Sequence, residues 1–541
     1  MRKFISALIF FCIGSVGFSQ PTTIQRPKLV VGIVIDQMRW DYLYRFYDRY
    51  EANGGFKRLL NQGFSCENTF IPYVPTITAC GHSSIYSGSV PAISGISGNL
   101  WWDKEQMKTV YCTDDASVST VGSSSVGAGK MSPRNLLVTT ICDELRLATN
   151  FRSKVIGIAL KDRGGILPAG HSANAAYWYD YGTGSWISST YYMNQLPGWV
   201  SDFNGKKLVD KYYNDGWQLL YPAASYVQST ADEKTYEAKP FGPKFPYDLK
   251  RFIGKDYGKI ASTPMGNILT AEFAKTAVIN EQLGADNITD FLAVSFSSPD
   301  YIGHTFGPNS VEAEDGFLRL DKELGSLFDF LDTKVGKGQY TVFLSADHGV
   351  SQVPEFMQEN KFPGGRAEIG STIDTLNNEL KAKYQLDKII VSDDNYQVHL
   401  NHPRLDSAKV NKEEVTAMII ARLSAVKGVA RVFSLADLNK VPLPERIRQM
   451  INNGYNPKRN GDIQIILLPQ YIEAYSTTGT THGLWNPYDS HIPLLWYGWG
   501  IKQGKTNKET YMTDIAATVA ALLHIQMPSG CVGKVIEEVM K

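Results

Sequence analysis

The chain has no surplus of charge of either sign: 54 Lys and Arg stand against 54 Asp and Glu in 541 residues. With no basic excess there is nothing to neutralise a nucleic-acid backbone or an anionic membrane, so any affinity for anions must be local. No nucleic-acid-binding surface is expected. Long apolar runs are equally scarce. The run from Phe4 to Phe18 is too short for a membrane span, and Arg2 and Lys3 before it, with Gly17 and Ser19 around its end, mark an export signal over residues 1–19. A periplasmic or secreted protein with no membrane span after cleavage is therefore predicted. Ile9-Phe10-Phe11 before Cys12 is not a lipoprotein box. Cysteine is sparse: cleavage leaves Cys66, Cys80, Cys112, Cys142 and Cys531, an odd number, so at least one stays unpaired within the chain. Repeats, Pro/Ser-rich linkers and low-complexity tracts are missing, so no boundary divides residues 20–541 into separate domains. A composition 43% hydrophobic and 20% charged excludes a disordered or collagenous chain.

What the sequence does contain is a series of short apolar runs that end in reactive residues. Lys28 to Ile35 (KLVVGIVI) reads as a strand buried on both faces of a parallel sheet and ends at Asp36. Val155 to Leu160 ends at Lys161, Phe291 to Phe296 precedes Asp300, and Thr341 to Ser345 precedes Asp347. Leu136 to Ala148 has helical spacing. So does Val311 to Lys334, with Phe317, Leu320, Leu324, Leu327 and Leu331 on one face. Strand, helix and strand describe an open α/β sheet, whose ligands bind at the carboxyl ends of the strands. Two stretches break the rhythm. Residues from about 174 to 255, rich in Tyr, Trp, Asn and Gly, and residues from about 356 to 460 read as cap insertions, after which Ile463 to Leu468 is expected to resume a core strand.

Nine histidines occur, and three stand in suggestive company: Asp300-x-x-x-His304, Asp347-His348-Gly349 and Thr481-His482-Gly483. An Asp and a His four residues apart can bring two ligands to one ion. Mixed carboxylate and imidazole donors favour zinc or a similar transition ion over magnesium or calcium. Taken singly, each pair is also what a structural hydrogen bond looks like; their shared position after strand-like runs is the stronger signal. Thr78, in Thr76-Ile77-Thr78-Ala79-Cys80-Gly81-His82, lies where a turn enters a helix. Its hydroxyl would see the positive end of the helix dipole, or would serve as an N-cap.

The set Asp36, Thr78, Asn99, Lys161-Asp162-Arg163, Asp300-x-x-x-His304, Asp347-His348-Gly349 and Thr481-His482-Gly483 resembles the alkaline phosphatase superfamily, with the motifs in order. Within it, the chain is similar to the secreted bacterial phosphate-irrepressible alkaline phosphatases from about residue 28 to 540. The resemblance implies an alkaline-phosphatase-like α/β fold, its sheet sandwiched by helices and decorated with cap insertions. It also implies two Zn²⁺ ions: Asp300, His304 and His482 on one, and Asp36, Asp347 and His348 on the other, with Thr78 on the second as nucleophile. Asn99, Lys161 and Arg163 would then hold the non-bridging phosphoryl oxygens, with Lys161 and Arg163 aimed to one side from an extended segment.

Phosphate monoester hydrolysis through a phospho-threonine, by a monomer acting on small molecules, is the function so implied. A nucleotide pyrophosphatase/phosphodiesterase with the same ligands is the alternative, and an exported protein that binds metal without turnover a third. A monoester transition state leaves three charged non-bridging oxygens, so Lys161 and Arg163 favour the first. A sulfatase is disfavoured because Cys80-Gly81-His82-Ser83-Ser84 lacks the Pro and Arg of that family's nucleophile motif. His491 is read as supporting or structural; His82, His171, His399, His402 and His524 are read as satisfied or surface side chains.

Overall fold

A computed structural model describes residues 24–541. The export signal read over residues 1–19, with Cys12, lies outside the described residues. The apolar runs form the centre of a ten-stranded sheet flanked by helices. Leu29–Ile35 is its middle strand, parallel to Asp290–Phe296 on one side and to Tyr340–Ser345 on the other. Val155–Ala159 continues the parallel set beyond Asp290–Phe296. All four are buried at every position, which is why they read as continuous apolar runs rather than alternating ones.

The Val311–Leu331 helix buries the predicted stripe and is capped by the Ser310 side chain, which accepts from Ala313 N. It ends three residues earlier than predicted, in a π-turn over Asp332–Gly336. The helix expected from Leu136 begins only at Ile141, because Thr140 and Asp143 form a reciprocal capping box that sets the first turn.

Both insertion boundaries shift. Ala175–Asp180 and Ser185–Ser189, inside the first stretch, are strands of the main sheet. Their aromatic residues pack on the sheet's own helices: Trp186 stacks on Phe273 at 4.2 Å and Tyr177 meets the same ring edge-on at 5.4 Å. The second stretch forms a lobe with its own core, built from Ile373, Leu376, Val398, Val415, Ile419 and Ile465. Ile463–Leu467 belongs to this lobe's four-stranded sheet, between Gln397–Leu400 and Val429–Ser434, and not to the main sheet. A short apolar run announces burial without naming the sheet that buries it.

Residues after the aromatic strands are bound to the Val311–Leu331 helix by an acidic contact. Tyr247 donates its hydroxyl to Glu312, which is 0% exposed. Burial pushes the Glu312 carboxyl up to about 7, and burial with the Glu312 and Asp232 carboxylates pushes Glu237 up to about 8. Carboxyls raised in the folded state favour folding while protonated. That contribution is complete below the unfolded value and is lost as pH rises through the folded one. Glu312→Gln is therefore expected to leave unfolding stability unchanged near pH 4.5 and to raise it by about 1–3 kcal/mol at pH 9. Urea unfolding of both chains across that range checks this; parallel curves would refute it.

Candidate functional site

Every segment of the site starts where a core strand stops. Asp36 follows Leu29–Ile35 directly, Lys161 comes two residues after Val155–Ala159, and Asp347 and His348 come just after Tyr340–Ser345. Asp300 lies in the first turn of Ser298–Phe306, the helix entered from Asp290–Phe296. Neighbouring parallel strands end together, so these side chains converge at one edge. Thr78 is the first residue of the Thr78–Ser87 helix; Ile77 takes the N-cap position and no side chain caps the helix. The Thr78 hydroxyl is thus not used in capping. A Cβ at Gly81 would collide with the backbone and side chain of Asp347, so only glycine lets this helix lie directly on the Asp347 loop.

Two groups of donors result. Asp300, His304 and His482 bring ligand atoms within 4.8 Å of one another, as do Asp36, Asp300 and His348. His304 Nε2 is 3.1 Å and His482 Nε2 3.7 Å from Asp300 Oδ1. His348 Nε2 is 3.5 Å from Asp36 Oδ1, 3.4 Å from Asp347 Oδ2 and 3.3 Å from Thr78 Oγ1. Asp300 therefore stands between the two groups rather than in one alone.

The donor chemistry fits divalent cations. Asp36 Oδ1 and Asp347 Oδ2 are buried with no hydrogen-bond partner, a costly condition for carboxylates without a cation. His304, His348 and His482 each place Nδ1 on a backbone carbonyl, those of Thr480, Gly349 and Thr76, at 2.8, 2.9 and 2.7 Å. A carbonyl only accepts, so each Nδ1 carries the proton and each Nε2 lone pair faces the cluster. Burial, with His348 and His304 beside it, holds His482 well below its ordinary pKa and keeps it neutral. Burial and the Asp347 carboxylate push the Asp36 carboxyl well above its usual range, although Lys161 opposes them. Burial works against ionisation of Asp300, yet His304 and Lys161 hold it well below the carboxylate range.

The cationic wall departs from the expected extended segment. Lys161 is the last extended residue before the Asp162–Ala169 helix, and Arg163 lies in that helix's first turn. The two side chains consequently point to different partners. Lys161 Nζ, 2% exposed, donates to Asp36 Oδ2 at 2.7 Å and Asp300 Oδ2 at 2.5 Å. Burial opposes its charge, but those two carboxylates carry its pKa above the usual value. Arg163 Nη1 donates to Tyr111 Oη at 3.0 Å, and Tyr111 donates in turn to Asp162 Oδ1 at 2.8 Å. Asn99 Oδ1 accepts from Ala79 N at 3.0 Å, next to Thr78, which leaves its Nδ2 as a donor.

Three further residues belong to the site. Gln37, in the left-handed region at φ 66°, donates its backbone N–H to Asp347 Oδ1 and its Nε2 to Asp300 Oδ1. His82 is buried and satisfied, as read, but its position matters: Nε2 meets Ser295 Oγ at 2.8 Å, and Nδ1 meets the Thr78 carbonyl at 2.9 Å and lies 3.3 Å from Asp347 Oδ2. Tyr111 is the third. Only the adjacency of Gln37 to Asp36 and the i, i+4 spacing of His82 to Thr78 could have signalled any of them. Cys80 donates to the Ile96 carbonyl. His491 is structural, stacked between Trp40 and Phe70 with Nε2 on the Glu67 carbonyl.

The profile of the type I phosphodiesterase / nucleotide pyrophosphatase family matches residues 30–489. Alkaline phosphatase PhoV of Synechococcus elongatus is 55% identical, over 96% of this chain and 94% of its own. A Myroides odoratus protein named calcium-transporting ATPase is 53% identical, over 96% and 95%. Alkaline phosphatase PafA of Elizabethkingia meningoseptica is 50% identical over 97% of each chain. A crystal structure of wild-type alkaline phosphatase PafA superposes with a TM-score of 0.93 at 50% identity, covering 96% of this chain and all of that one. With the motifs in order, a family profile over most of the chain and near-full-length likeness to alkaline phosphatases, the chain belongs to the type I phosphodiesterase / nucleotide pyrophosphatase family and stands among its alkaline phosphatases.

Proposed function

We propose that the protein is an exported zinc-dependent phosphate monoesterase, with residues 20–541 forming one catalytic domain that acts as a monomer on small phosphate esters. The observation that carries this reading is the meeting of the Thr78 hydroxyl with His348 Nε2, beside two buried carboxylate oxygens that lack partners. Asp300, His304 and His482 would hold one Zn²⁺, and Asp36, Asp347 and His348 the other; mixed oxygen and imidazole nitrogen donors suit that ion. When bound, such a pair supplies Lewis-acid charge at the attacking and leaving oxygens of an in-line displacement.

The chain's own part follows from its geometry. Thr78 Oγ, at the positive end of its helix, attacks phosphorus as the bond to the leaving oxygen breaks, giving a phospho-threonine that water then hydrolyses. Asn99 Nδ2, the Lys161 ammonium and the Arg163 guanidinium donate to the non-bridging oxygens. His82 and Gln37 hold the Thr78 carbonyl and the Asp347 carboxylate in place. Cations in the wall favour a monoester, whose phosphoryl oxygens carry more charge than those of a diester. Export to the periplasm or beyond rests on the residue 1–19 signal pattern.

Elemental analysis of the purified protein is expected to find about two zinc ions per chain, and Thr78→Ala should retain them while losing most turnover. A fully active protein free of transition metal, or a Thr78→Ala variant with near-normal rates, would contradict the mechanism.

Arg163→Ala is expected to lower kcat/KM on an aryl phosphate monoester by about 10- to 100-fold, and by much less on the matching diester. Adding Lys161→Ala should deepen the monoester loss, with metal content measured alongside because Lys161 is paired to Asp36 and Asp300. Equal losses on both substrates would remove the reason for preferring the monoesterase.

A further inference from the structure

Asn99 and Tyr111 belong to one small element. Asn99 directly precedes the Leu100–Asp103 strand, which pairs antiparallel with Lys108–Tyr111 so that Leu100 faces Tyr111. The Asn99 carbonyl closes the hairpin base by accepting from Cys112 N at 2.9 Å. One end of this hairpin thus presents the Asn99 amide to the nucleophile helix and the Tyr111 hydroxyl to Arg163. It is a two-stranded sheet, separate from the ten-stranded one. Two strands alone hold their shape poorly in water, so the placement of both groups depends on what the hairpin is docked against.

Part of that support comes from the second lobe. Asn395 donates its Nδ2 to the Leu100 carbonyl at 2.9 Å. Its amide lies so close to Gly98 that a Cβ there would collide with it. Gly98 and Leu100 flank Asn99, so one side chain touches the chain on both sides of it. Asn395 and Tyr396 adopt consecutive left-handed conformations, φ 62° and 59°. Asparagine enters that region readily; a tyrosine does so at a cost that the surroundings must offset. Those surroundings include Gly483, the neighbour of His482, where a Cβ would stand 3.1 Å from the Tyr396 ring. The same lobe lays the Arg459 guanidinium over Trp101 at 4.8 Å, and Lys458 accepts from Lys104 N at 3.2 Å.

We propose that Asn395 is a positioning residue for phosphoryl recognition: from the second lobe it holds the hairpin in the register that aims Asn99 and, through Tyr111, Arg163 at the substrate. This rests on the reading of Asn99 and Arg163 as phosphoryl contacts. Asn395 touches no reacting atom. Its contribution passes through the hairpin, so it acts on recognition of phosphate.

Asn395→Asp and Asn395→Gly both tolerate the left-handed backbone and both remove the donor, so neither confuses a lost hydrogen bond with backbone strain. Each is expected to lower kcat/KM on an aryl phosphate monoester by about fivefold to tenfold, and to weaken inhibition by inorganic phosphate to a similar degree. Metal content should not change. In a background already carrying Asn99→Ala and Arg163→Ala, the same substitutions should change the rate by less than about twofold, because the contacts they position are gone. A full loss that persists in that background, or no loss in the otherwise native chain, overturns the proposal. If Asn99→Ala with Arg163→Ala itself leaves monoester hydrolysis near normal, the reading of those two residues fails, and the role assigned to Asn395 fails with it.

Discussion

Three carboxylates just past adjacent parallel strands, Asp36, Asp300 and Asp347, are each at most 3% exposed, and the Lys161 ammonium pairs with the first two. Like charges at such separations cannot all ionise in a poorly solvated place unless cations compensate them. The ten-stranded sheet makes the arrangement possible by burying its central strands completely and anchoring the ends in register. The imidazoles are fixed in the one tautomer that offers a lone pair to the cluster, and two carboxylate oxygens remain without partners. The scaffold thus keeps a standing demand for positive charge at the strand ends.

Against this rigid group stands a wall built differently. Asn99 and the partner of Arg163 are carried on a hairpin outside the main sheet, gripped by a lobe with its own core. Asp36, Asp347 and Lys161 lie just past core strands and Arg163 on the helix that begins at Asp162, whereas Asn99 and Tyr111 belong to a hairpin that the second lobe contacts through Asn395.

How much of this was legible in the sequence follows from the range of each interaction. Runs followed by Asp36, Lys161, Asp300 and Asp347 announced the strands and the polar residues that gather past their ends, because burial on two faces leaves a local signature and a polar residue interrupting it stands out. Thr78 at a helix start was readable from the turn that precedes it. Ile463–Leu467 was assigned to the wrong sheet, and Ala175–Ser189 was taken for insertion although its two strands extend the main sheet. In both cases the local pattern is right for a strand and silent about its neighbours. Tyr111 and Asn395 act through contacts that no spacing rule reaches, the second across 295 residues to Leu100. The i, i+2 argument for Lys161 and Arg163 failed because a helix begins at Asp162 and turns Arg163 toward Tyr111.

Lys161 links the two halves of the site. Its ammonium is drawn to Asp36 and Asp300, which raise its pKa although burial opposes its charge. A lysine so placed balances only part of the surrounding negative charge. Under the proposed function, divalent cations at the two donor groups would give the carboxylates stronger partners, loosen their hold on the ammonium and shift the pocket toward positive charge. A dianionic phosphoryl group is the species that such a pocket favours, and a diester, with one charge fewer, gains less from it.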